Sequence, residues 1–143
     1  MPILARWDTL GSAPSTLSQF TLNIDLAPTI VEAAGVSQHN PFDGHSLLPL
    51  LQGDTSGWRS DFLVEHLSTG TNDQGGPSYC SVRNSRWKFV QYATGERELY
   101  DLTNDPYELV SRDGQAAYRT TEDALHDRML QLCNPPPPGW QPQ

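Results

Sequence analysis

YCSVRNSRWKFVQY, residues 79–92, is the stretch on which the fold turns. Two runs rich in aromatic and β-branched residues, YCSVR (79–83) and WKFVQY (87–92), flank the three residues NSR. That is a hairpin spacing, so the runs are predicted to be antiparallel neighbours. RELYDL (97–102) returns after a turn at Gly95 and extends the meander. Upstream, DFLVEHL (61–67) reads as a strand buried on both faces, and STGTNDQGGPS (68–78) as a long flexible loop without core residues.

Downstream, the periodicity predicts a helix from about Thr121 to Cys133, opened by Thr120 with Asp123 three residues on, an approximate capping box. Leu125, Met129, Leu132 and Cys133 form its apolar stripe. A helix that follows a strand meander most simply lays that stripe across one sheet face. The expected class is therefore α+β, with about four antiparallel strands and a C-terminal helix packed on one face. The tail NPPPPGWQPQ (134–143) reads as polyproline II; an extended terminus is the preferred reading over a ligand for a proline-reading domain.

Ahead of the sheet, IDLAPTIVEAAGV (24–36) reads as a short helix. Asp25 can accept hydrogen bonds from the free amides of the first turn, where its charge is also favourable. Pro28 falls in that turn, where a missing N–H costs nothing, and Gly35 closes the segment. Leu26, Ile30, Val31 and Ala34 recur at helical spacing and are expected to form a buried face. In NPFDGHSLLPLLQGD (40–54), Gly44 makes a turn and Ser46–Leu51 is at most a short helix limited by Pro49. MPILARW has strand-like content and starts without turn or capping chemistry, as though continuing a longer chain; residues 8–18 are a polar joint. The organisation expected is thus 1–60, 61–133 and a proline-rich tail, 134–143.

With 9 basic and 17 acidic residues the net charge is −8, which disfavours nucleic acid and anionic membrane surfaces as partners. No apolar run approaches the roughly 20 residues that span a bilayer, and MPILAR lacks the features of a signal peptide. The compartment is not written in the residues. His39, His45, His66 and His126 are spaced too irregularly for a local metal-binding pattern, so no metal site is expected from them. DLTNDPYE (101–108) lacks the alternating acids of a calcium loop and carries Pro106 where a turn wants it. No nucleophile elbow and no phosphate loop occur, so no catalytic residue is assigned. Glu65 and His66 interrupt an apolar strand and must either find partners or face a cleft; they are the candidate substrate-binding residues, against the plainer reading of a hydrogen-bonded structural pair. Cys80 and Cys133 are either one disulfide or two buried thiols.

The order IDLAPTIVEAAGV, FDGHSLLPLLQG, WRSDFLVEH, YCSVRNSRWKFVQY, ELYDLTNDPYEL resembles the C-terminal part of type I, formylglycine-dependent sulfatases of the alkaline phosphatase superfamily. DLAPT, DGHSLLPLL and LYDLTNDPYE are its most specific pieces, and YCSVR with LQLC is closest to the glucosamine-6-sulfatase branch. The resemblance implies a parent enzyme that hydrolyses sulfate esters of sugars or aryl alcohols with a formylglycine and a calcium ion. It implies that 1–60 is the edge of the catalytic domain scaffold and that the rest of that domain is this chain's partner. Neither cysteine starts a complete C-x-[PA]-S-R maturation motif, so no cofactor is expected in this chain. The alternative is a stand-alone, non-catalytic binding module derived from the same fold. An extracytoplasmic parent, which the resemblance favours, would suit a Cys80–Cys133 bridge. Alternation places Cys80 beside Val82, and Cys133 continues the stripe of Leu125 and Met129, so both side chains face one layer.

Overall fold

The computed structural model describes residues 3–6, 16–37, 39–68, 76–137 and 140–141. They belong to two compact units, Met1–Arg59 and Ser60–Gln143.

In the first unit, a 3-10 turn over Asn23–Asp25 runs straight into helix α1, Leu26–Ala33. Pro28 sits in the first turn and is buried, and the helix unwinds at Gly35, whose φ of 65° is the left-handed value that ends helices cheaply in glycine. Two expectations for this segment fail. Asp25 stands at the cap position but makes no side-chain bond to α1, because its carboxylate turns back to accept the Leu22 N–H at 2.7 Å. The presumed apolar face is open: Leu26 is 42% and Ile30 67% exposed. Local periodicity marks an apolar face correctly but cannot say whether a partner element covers it. Helix α2 is the single turn Leu48–Leu51 with Pro49 near its start, so the proline opens the turn and does not limit it.

The second unit is an antiparallel meander of four strands: β1 (Asp61–His66), β2 (Tyr79–Asn84), β3 (Trp87–Tyr92) and β4 (Arg97–Asp101), adjacent in chain order. Val82 pairs with Phe89 and Phe89 with Leu99, so the three lie in one row on one face. Helix α3, Arg119–Leu132, packs on that face after a 3-10 turn at Ala116–Tyr118. The core is Cys80, Val82, Phe89 and Leu99 from the sheet, Leu125, Met129 and Cys133 from the helix end, and Trp140. This is the α+β layer that the meander and the helical stripe predict.

The structure corrects three details here. β1 is an edge strand, and its residues are half-buried or exposed, so it is not a strand buried on both faces. α3 begins before Thr120, which therefore lies inside the first turn and cannot cap it; no side-chain cap is made. The tail is no loose terminus at Trp140, which is 1% exposed and donates its indole N–H to the Gln91 carbonyl at 3.0 Å. A large apolar ring with one satisfied donor is well suited to such burial. Most of the loop at 68–78 lies outside the described residues.

Candidate functional site

Glu65 and His66 sit at the end of β1, where the pleat sends neighbouring side chains to opposite faces. Glu65 lies opposite Cys80 and His66 opposite Tyr79. The pair is therefore split, and the two residues belong to different surroundings.

On the face away from α3, the His66 ring stacks on Tyr79 with centroids 5.7 Å apart, and Tyr79 meets Tyr92 edge-on at 5.7 Å. Farther along the same face the Lys88 ammonium lies 5.9 Å from the Tyr100 ring centre and is paired with Glu108. Burial, then the neighbouring Glu98 carboxylate, raises the Tyr92 phenol and pushes Tyr100 up to about 12. Both phenols stay protonated and can donate hydrogen bonds. The result is a row of half-buried aromatic rings with hydroxyl, imidazole, ammonium and carboxylate groups, able to stack on and bond to a polar ring. It contains no activated nucleophile.

On the helix-facing side Glu65 is exposed, whereas Cys80 and Cys133 are buried at 0% and 3%. The Cα atoms of the cysteines are 6.3 Å apart and their sulfurs are joined as a disulfide. A Glu65 carboxylate oxygen and the two sulfurs lie within 4.8 Å of one another, the one grouping of three possible metal ligands among the described residues. Two joined sulfurs and a single carboxylate do not fit calcium, which takes six to eight oxygens. Nor do they fit formylglycine formation, which consumes a free cysteine.

The first unit holds a separate cluster that the sequence did not disclose. Asp25, fully buried, takes the Arg59 guanidinium in a fork at 2.6 and 2.7 Å and accepts N–H bonds from Leu22 and His45. Burial raises its pKa, but the Arg59 fork and the two amides outweigh burial and hold the carboxyl below its ordinary value. Thr29 adds a second clasp by bonding the Asp25 carbonyl and accepting the Leu47 N–H at 2.8 Å. Arg59 also lies over Trp58, whose indole N–H is bonded to the Phe20 carbonyl at 2.8 Å. The cluster fixes the start of α1 against the Gly44 turn and is structural in character. Alternation along β2 and β3 could have revealed the Tyr79–Tyr92 pair opposite Cys80. No local signal could have matched Asp25 with a residue 34 positions away.

Residues 1–134 match the family N-sulphoglucosamine sulphohydrolase, C-terminal. The N-acetylglucosamine-6-sulfatase of Bos taurus is 33% identical over 142 residues, covering 76% of this chain and 25% of that protein. The N-acetylglucosamine-6-O-sulfatase of Bacteroides thetaiotaomicron is 28% identical over 130 residues, covering 87% and 23%. Among solved structures, the phosphonate monoester hydrolase of Agrobacterium radiobacter superposes with a TM-score of 0.71 at 25% identity, over 83% of this chain and 26% of that one. A protein solved with its substrate D-glucosamine-2-N,6-O-disulfate superposes with a TM-score of 0.70 at 23% identity, over 77% and 23%, a likeness of fold. The chain thus spans about a quarter of the length of these relatives. It belongs to the sulfatases of the alkaline phosphatase superfamily, as their C-terminal, N-sulphoglucosamine sulphohydrolase-type region.

Proposed function

We infer that this chain is the C-terminal part of a sulfatase acting on sulfated sugars or aryl sulfates, where it supports the catalytic domain and lines the mouth of the substrate cleft. The observation that carries the reading is the family match across residues 1–134 by a chain spanning about a quarter of its relatives. The hydrolytic chemistry then resides in the other three quarters of the parent enzyme. The engagement of both cysteines with each other supports this division, since neither thiol is free to become the formylglycine.

His66 is the residue assigned to the cleft, with Glu65 on the opposite face of the strand end. Support for His66 comes from its place at the end of β1 and in the aromatic row with Tyr79 and Tyr92. Sugar rings stack on such rings through their C–H faces, and the imidazole can donate to a sulfate oxygen. The exposed side of α1, Leu26 and Ile30, is the surface assigned to the catalytic domain, because an apolar helix face is unfavourable in water.

Titration of the purified chain with glucosamine 6-sulfate separates this reading from a stand-alone binding module. Half a cleft is expected to bind no tighter than the millimolar range, with small chemical-shift changes centred on the His66 and Tyr79 rings. Micromolar affinity at a site away from these rings would favour the module and overturn the supporting role.

A further inference from the structure

β4 is the last strand of the sheet, and its outer edge is met by the segment 111–114 rather than by another strand. Leu99 turns both backbone groups outward there: its carbonyl accepts the Arg112 N–H at 2.7 Å, and its N–H donates to the Ser111 hydroxyl at 3.2 Å. The same hydroxyl accepts the Asp113 N–H at 3.2 Å, and the chain turns at Gly114, whose φ of 69° is left-handed. On its other side the segment meets α3. The Gly114 N–H donates to a Glu122 carboxylate oxygen at 3.1 Å, and the Asp113 carboxyl is hydrogen-bonded to the same Glu122 side chain.

We propose that this segment is an acid-closed strap: a proton shared by the Asp113 and Glu122 carboxyls binds it to α3 across the edge of β4, and loss of that proton loosens it. The inference is independent of the reading of the parent enzyme, because every group in it lies within the second unit.

Two ionised carboxylates are acceptors only, so Asp113 and Glu122 bond to each other only with a proton between them. The Glu122 side chain is 12% exposed, which leaves little water to take that proton's place. The charged groups around Asp113 are Glu122 from α3 and Arg97 from β4, whose guanidinium lies 3.9 Å from the Glu122 carboxylate. Arg97 offsets one negative charge; a second one restores repulsion. Burial first, then the Glu122 carboxylate and its hydrogen bond, push Asp113 above its ordinary value, and Arg97 opposes them. The closed strap thus holds the proton more tightly than the open one. Closure is favoured in full below the ordinary aspartate value of about 3.9 and is lost as pH rises through the raised value. Opening bares the Leu99 N–H and carbonyl, a stretch of unpaired strand edge.

The test uses the full chain and two NMR measurements: carbon-13 titration of side-chain carboxyls, and amide hydrogen exchange corrected for the intrinsic rate at each pH. Asp113 is expected to titrate above about 3.9 and to move down toward that value in Glu122→Gln. Protection of the Arg112 amide is expected to rise as pH falls through the Asp113 midpoint, by up to about tenfold per pH unit, the limit for one proton. Amides of β2, which has a strand on each side, should show no step at that midpoint. In Asp113→Asn the side-chain amide donates to Glu122 without titrating, so Arg112 is expected to stay protected with no step. An Asp113 midpoint at the ordinary value, or one unmoved by Glu122→Gln, would overturn the shared proton. Arg112 protection without a step, the same step in Asp113→Asn, or an equal step in β2 would overturn the strap.

Discussion

Arg59 holds Asp25 with two nitrogens, at 2.6 and 2.7 Å, across 34 residues of chain. The acid is buried and Arg59 is nearly so, which makes the pair sensitive to the loss of either partner. Asp25→Asn or Arg59→Ala is expected to cost about 3–5 kcal/mol, since the remaining charge would be left in a dry site. Chemical denaturation followed through the Trp58 indole N–H resonance checks this, because that group is bonded next to the pair.

The same pair sets an acid limit for the first unit. Asp25 is held below its ordinary carboxylate value in the folded chain, so its contribution is present in full above the unfolded value of about 3.9. Stability is then expected to fall as pH drops through the folded value. The Trp58 indole signal should therefore hold steady from pH 7 to 5 and collapse at lower pH. In Asp25→Asn this acid step should be missing.

Gly44 is required by contact. A Cβ built on it would lie 2.1 Å from the Ile24 carbonyl oxygen and 2.4 Å from its carbon. These are backbone atoms that cannot rotate away, so Gly44→Ala is expected to destabilise by at least about 1–3 kcal/mol, the usual cost of overpacking. Gly53→Ala is the control for crowding, because a Cβ there meets nothing within 4 Å; only its φ of 87° opposes the substitution. A thermal melt of both variants should show the larger loss in Gly44→Ala.

The sheet, its order and the helix on one face were legible from alternation and stripe, because those patterns repeat within a few residues. What the residues could not reveal depends on contacts far apart in the chain. Asp25 looked like a cap since its neighbours alone suggest one, whereas Arg59 and the His45 amide, from distant segments, claim the carboxylate. Trp140 follows four prolines and looked like part of a solvated tail, yet the gap beside Gln91 and Cys80 accepts the ring. Glu65 and His66 are neighbours in sequence, and the pleat divides them between two faces.

Trp140 provides a measurable check on that correction. Trp140→Ala is expected to cost about 3–5 kcal/mol, as for other buried large-to-small changes, while Trp140→Phe loses chiefly the indole bond, about 1 kcal/mol. Urea midpoints of the two variants should therefore be well separated. Equal, near-zero losses would mean that the ring does not belong to the core.

Cys80 and Cys133 close 53 positions of sequence. In the chain-entropy picture that closure contributes about 4 kcal/mol. Replacing both by serine should lower the unfolding free energy of the second unit by that order, and mass spectrometry of the native chain under alkylation should find no modified cysteine. A singly or doubly alkylated native protein would show the bridge unformed.

Hydrolysis of 4-nitrocatechol sulfate by the purified chain, with and without added calcium, tests the central account most directly. The supporting role proposed above predicts no product above the buffer rate under either condition. Calcium-dependent turnover that scales with chain concentration through repeated purification would place the chemistry within these 143 residues and contradict the account.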